Sequence, residues 1–140
     1  MINDCSINLS REEIHMKKIM VVDNEQDFLL TIKAVFQSFS DEYELVTADS
    51  GMQCFDLLKN NNLPDLILLD IMMPEMNGWE VARKLRENLE WRKIPIIFLT
   101  AIEDETSKRT GSIIGKDYIE KPFEITDLKE KIDKALKGST

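Results

Sequence analysis

The stretch DLILLDIMMPEMNGWE, Asp65 to Glu80, decides the fold. Its first half is a short unbroken apolar run, as expected of a strand buried on both faces. The run closes on Asp70, an acid that packing alone does not explain. Pro64 stands before the run, and a loop follows it. Val81, Ala82, Leu85 and Leu89 then recur at helical spacing and predict an amphipathic helix. A strand, a loop and a helix in that order make one unit of a parallel sheet.

The same unit repeats on either side. KIMVV (18–22) is a second buried run, followed by Phe28, Ile32, Val35, Phe36 and Phe39 at helical spacing. ELVTA (44–48) is more polar and suits a sheet edge. Ser50 is placed to cap a helix that carries Met52, Phe55 and Leu58 and ends in the asparagines at 60–62. PIIFLT (95–100) predicts a fourth strand and DYIE (117–120) a fifth. Ile125, Leu128, Ile132 and Ala135 mark a last helix, with Gly138 as its C-terminal cap. Residues 103–114 read as a poor helix, with few apolar positions and an interior Gly111. The expected fold is α/β, a doubly wound five-stranded parallel sheet with helices on both faces. The expected organisation is an N-terminal extension (1–17), one domain (18–137) and a short tail (138–140).

The chain has 140 residues, 43% hydrophobic and 31% charged, enough for one domain with one sizeable core. Its formal charge of −8 argues against a nucleic-acid backbone as partner and is compatible with cation binding. Cys5 and Cys54 are too few and too far apart in sequence for a disulfide framework or a zinc site. His15, alone in a polar leader, reads as a solvated residue. No apolar segment is long enough to cross a bilayer, and the N-terminus lacks a signal-peptide pattern, so a cytoplasmic protein is expected.

Ligands of open parallel sheets bind beyond the carboxyl ends of the strands. Those ends carry Asp23 and Asn24, Asp70, Thr100, and Lys121 followed by Pro122. Two carboxylates and an amide oxygen suit Mg²⁺, which takes a few carboxylates, waters and a substrate phosphate. An Asp beside such an ion is a nucleophile toward phosphorus, and a lysine beside it neutralises phosphoryl oxygens. The methionines at 72, 73 and 76 read as packing, since thioethers suit softer metals.

The runs VVDNE, LILLDIMMPEMNGWE, IIFLTA and DYIEKPF together resemble the response regulator receiver domain of two-component signalling, over about residues 17–137. That resemblance implies a flavodoxin-like strand order 2-1-3-4-5, with Asp70 as phosphoacceptor and Asp23, Asn24, Asp70 and the Met72 carbonyl around Mg²⁺. It implies Thr100 and Tyr118 as switch residues, and Lys121 as the group that contacts the phosphoryl. Pro74 and Gly78 would shape the loop after the acceptor, and the Lys121–Pro122 peptide would be cis. A histidine kinase or phosphotransfer protein would be the donor. The readout would pass by contact with a downstream protein, without direct nucleic-acid or membrane binding. The chain would be a monomer or weak dimer acting alone, a phosphoacceptor that helps its own phosphorylation and dephosphorylation rather than a dedicated enzyme. Apolar Met72 and Ile102 sit where the family tunes phosphoryl loss, which implies slow dephosphorylation.

Two departures stand out. The family usually has an acid where Asn24 is, at the position that touches the metal. With a neutral amide there, metal binding is expected to weaken by about 1 to a few kcal/mol in a partly solvated pocket. Glu25 is the candidate to compensate, but sequence does not orient its side chain. The segment between Thr100 and Lys121 is also polar and one residue short, so a weakly packed helix is expected there. The alternative that Asn24 raises is a pseudo-receiver, which binds partners without phosphorylation. A flavodoxin-like cofactor site fits less well, because VVDNEQD is acidic where a phosphate-binding loop belongs.

Overall fold

The computed structural model describes residues 16–101 and 117–138. The elements run β1 (Lys17–Val22), α1 (Gln26–Gln37), β2 (Tyr43–Ala48), α2 (Gly51–Lys59), β3 (Leu66–Asp70), α3 (Gly78–Glu87), β4 (Ile96–Ala101), β5 (Asp117–Lys121) and α4 (Ile125–Gly138). The strands form one sheet in the order β2-β1-β3-β4-β5, and all four pairings are parallel. The expected fold class and strand order are therefore the observed ones, with the polar strand β2 at an edge. Residues 1–15 of the anticipated leader, the poor helix at 103–114 and Ile102 lie outside the described residues, and Lys17, the last residue assigned to the leader, begins β1.

Alternation along the strands divides the core in two. Ile19, Val21, Leu66, Leu68, Ile97 and Leu99 face Leu29, Ile32 and Phe36 of α1 and Leu128 and Ile132 of α4. Met20, Val22, Ile67, Leu69, Ile96 and Phe98 face Cys54 and Leu58 of α2 and Val81 and Leu85 of α3. Both faces of the central strands are covered, so β3 reads as an unbroken apolar run. Leu66 to Leu69 are each 0% exposed, and such burial contributes up to about 2 kcal/mol per side chain. This rigid centre fixes where its last residue, Asp70, emerges.

Local chemistry ends the elements as the sequence predicts at several points. The Ser50 hydroxyl accepts from the Gln53 N–H, capping α2. Asn77 and Glu80 form a reciprocal capping box that starts α3. Asn61, just past α2, takes a positive φ of 66°. At the other edge of the chain, α4 is tied to the start of β2: the Tyr43 hydroxyl donates to Asp133, and Lys129 bridges Glu42 and Asp133 at 3.2 and 3.1 Å.

Four expectations are corrected. Leu89 is not on the apolar face of a helix; α3 ends at Glu87 and Leu89 is 76% exposed. Its four-residue spacing from Leu85 continues the helical period, but Asn88 takes an extended conformation and turns the chain away. Met52 (66% exposed) and Ile125 (47%) stand at the first turns of their helices, outside the buried stripe. Gly138 belongs to α4 rather than to the tail.

Candidate functional site

Three apolar strands end side by side in polar groups, because their apolar runs stop at the sheet's carboxyl edge. Asp23 directly follows β1, and its backbone N–H bonds to the Ala48 carbonyl of the edge strand at 3.0 Å. Asp70 is the last residue of β3 and pairs in register with Leu99. Thr100 follows Leu99 in β4 and pairs with Glu120, one residue before Lys121. Asp23, Asp70 and Thr100 are 0%, 6% and 1% exposed, the three buried polar or charged residues among those described.

Lys121 closes the constellation. Its Nζ lies 2.6 Å from Asp23 Oδ2, 3.3 Å from Glu25 Oε1 and 3.7 Å from Asp70 Oδ1. The ammonium also sits over the Phe28 ring, 4.2 Å from its centroid, a cation–π contact that fixes its position further. Phe28 in turn meets Phe123 edge-on. The Lys121–Pro122 peptide is cis.

The loop after Asp70 is tightly wound. The Ile71 carbonyl accepts from the Met73 and Gly78 N–H groups, and the Pro74 carbonyl from Met76 N–H. Glu75 takes a positive φ of 68°. A Cβ on Gly78 would stand 2.4 Å from the Asp70 carbonyl oxygen and 2.8 Å from Ile71 Cα, so only glycine lets α3 start this close to the strand end. Met73 is buried, Met76 is half-buried against Gly51, and Met72 is 66% exposed. The methionines thus pack or face solvent.

Three carboxylates against one ammonium leave the pocket with excess negative charge. Burial, then the charge of Asp23, push the Asp70 carboxyl up to about 7, with Glu25 adding to the rise and Lys121 and the Met72 N–H opposing it. Burial works against the charge on Lys121, but its bond to Asp23 and the charges of Asp70 and Asp23 outweigh that, and its pKa is raised. A carboxyl whose pKa is raised by burial and by neighbouring negative charge is one whose ionised form a divalent cation would stabilise. Among the described residues no three His, Cys, Asp or Glu side chains group to hold a metal. Two carboxylates completed by neutral oxygens and water are a donor set for Mg²⁺, so the residues fit that ion.

The structure therefore brings together Asp23, Asp70 and Lys121 and seats Thr100 buried on the neighbouring strand. Asn24 is exposed beside them. Tyr118 is half-buried against the α2–α3 side of the core. It borders a groove of about 520 Å³ between β5 and α4, with Phe123, Glu124 and Lys131 along it. Sequence reasoning did not orient Glu25 and read Phe28 only as a core position. The available signal was proximity in sequence: both follow Asp23 within the turn that opens α1.

The comparisons with known proteins agree with this geometry. The family model described as response regulator receiver domain matches residues 19–133. The response regulator SaeR of Staphylococcus aureus (strain USA300) is 34% identical over 123 residues, 86% of this chain and 51% of that protein. The receiver domain of the Francisella response regulator 1452 superposes with a TM-score of 0.76 at 28% identity, covering 89% of this chain and 99% of that one. The receiver domain of the sensor histidine kinase PA1611 from Pseudomonas aeruginosa PAO1, described with a magnesium ion coordinated in its active-site cleft, shares the fold. Its TM-score is 0.76 at 24% identity, with 86% and 98% of the two chains covered. The chain spans about half or less of the length of the curated relatives it matches.

Proposed function

The chain belongs to the response regulator receiver domain family, and from that premise we propose that Asp70 accepts a phosphoryl group from the phosphohistidine of a histidine kinase or phosphotransfer protein. The observation that carries this reading is the state of Asp70: a buried carboxylate at the end of the central strand, with Asp23 beside it and an ammonium 3.7 Å away. In the transfer, a bond forms between an Asp70 carboxylate oxygen and phosphorus. The phosphorus–nitrogen bond of the donor breaks, and the imidazole leaves with the electron pair.

The residues of this chain divide the remaining work. Asp23, Asn24, Asp70 and the Met72 carbonyl would hold Mg²⁺, which when bound would neutralise phosphoryl oxygens as charge shifts. Lys121 sits within reach of Asp70 and orients a phosphoryl oxygen by charge. Buried Thr100 donates its hydroxyl to another oxygen once the group has arrived. That pull moves Thr100 toward Asp70 and lets Tyr118 turn inward, which alters the face of β5 and α4 and its contacts with a downstream protein. Pro74, Gly78 and Pro122 hold the two loops that flank the acceptor. The domain runs from the start of β1 at Lys17 to the end of α4 at Gly138 and works in the cytoplasm, where a buried thiol such as Cys54 stays reduced.

Incubation with a small phosphodonor and Mg²⁺, followed by intact mass measurement, tests the proposal. One added phosphoryl group on the native chain, absent from Asp70→Asn, is expected. No addition even at high Mg²⁺ would leave a module that binds partners without phosphorylation.

A further inference from the structure

We infer that Glu25, rather than Asn24, supplies the third negative charge of the strand-end pocket and so sets its affinity for a divalent cation. The inference rests on the phosphoacceptor reading of that pocket. Position 24 carries a neutral, exposed amide. One residue on, the Glu25 carboxylate is 3.3 Å from the Lys121 ammonium that also contacts Asp23 and Asp70.

The orientation of Glu25 is built into the backbone. Its N–H donates to Asp23 Oδ1 at 2.8 Å, which ties the turn to the buried acid. Glu25 occupies the N-cap position of α1, yet its side chain makes no hydrogen bond to the helix. A residue at this position ordinarily accepts from the helix's free N–H groups. Here the carboxylate is turned to Lys121 instead. Asp23, Asp70 and Lys121 alone would leave a net −1; Glu25 restores the −2 that an acid at position 24 would have given.

Glu25 acts from outside the ligand set, because no three acidic, His or Cys side chains group for direct ligation among the described residues. A cation taken by Asp23 and Asp70 competes with Lys121 for Asp23. Glu25 offers the displaced ammonium another partner within the pocket and adds its own attraction for the ion. Its carboxylate is 64% exposed, so screening keeps the effect modest, roughly three- to tenfold in affinity.

The test is calorimetric titration of Mg²⁺ into the full chain at neutral pH and low salt. Wild type is compared with Glu25→Gln, with Glu25→Ala as a second neutralising variant, and with the double variant Asn24→Asp/Glu25→Gln. Both single variants are expected to bind Mg²⁺ roughly three- to tenfold more weakly, and the double variant to bind at least as tightly as wild type, because its added carboxylate stands at a position of the ligand set itself. Thermal melts identify any variant whose fold has changed. Unchanged affinity in the single variants, or a double variant as weak as Glu25→Gln, overturns the role of Glu25. If wild type itself binds no Mg²⁺, the metal-pocket reading falls as well, so the two failures are separate outcomes.

Discussion

Neutralising the acceptor should make the protein more stable, with a pH dependence that identifies the cause. Asp70 is raised from its ordinary 3.8 to about 7 by burial and by the neighbouring charge of Asp23. Between those values the native state keeps a proton that the unfolded chain has lost. The unfolded state then binds fewer protons, so stability falls as pH climbs through this window and levels off above about 7. Asp70→Asn keeps the shape of the side chain and removes the slope. At about 1.4 kcal/mol per pH unit, the rise bounds the effect at about 4 kcal/mol. Lys121 and Glu25 are partly exposed at the mouth of the pocket, and water relaxing there should roughly halve the gain, to about 2 kcal/mol. Urea unfolding of wild type and Asp70→Asn across the range from acid to mildly alkaline pH measures this. The variant should gain about 2 kcal/mol above neutrality with an unchanged m-value. The gain should vanish near the ordinary carboxylate range and shrink when Mg²⁺ is added to wild type. A variant that is no more stable at alkaline pH, or whose gain is the same at every pH, would refute the claim that unrelieved charge on Asp70 strains the fold.

Other perturbations read other parts of the site. Gly78→Ala places a methyl group against the Asp70 carbonyl and Ile71 Cα; it should cost about 2–3 kcal/mol in chemical denaturation and reduce phosphoryl uptake at Asp70. Asn77→Ala removes half of the α3 capping box and should cost about 1 kcal/mol in the same assay. Thr100→Ala should still accept a phosphoryl group by mass, while hydrogen exchange along β5 and α4 should no longer respond to phosphorylation; an undiminished response would remove Thr100 from the switch. The aspartyl phosphate should be long-lived, since the exposed Met72 two residues past Asp70 has no group to orient an attacking water; rapid loss in a timed mass series would overturn that expectation.

Much of this was legible in the sequence for a definite reason. A strand covered on both faces must be apolar throughout, and LILLD and IMVV admit few other readings. The polar residues that end such strands then fall on one edge of the sheet by topology alone, which is why Asp23, Asp70, Thr100 and Lys121 could be grouped in advance. Helix boundaries were less legible. Leu89 continues the period of α3 in sequence, but the chain leaves the helix at Asn88. Met52 and Ile125 fit a helical spacing yet lie above the packed layer, because periodicity states which residues share a face and not how far the facing sheet extends.

The sequence by itself determined the alternation of elements, the parallel sheet and the set of groups at its carboxyl edge, since these follow from burial and from handedness rules that hold for any chain. Only the tertiary structure decided how the charges in that set are shared. Asn24 turns to solvent while Glu25, the next residue, reaches Lys121, a residue 96 positions away. Lys121 rests on the ring of Phe28, and the close approach at Gly78 holds Asp70 in place. Such choices depend on the direction of single side chains in a shared field of charge. Neighbours that meet only after folding set that direction.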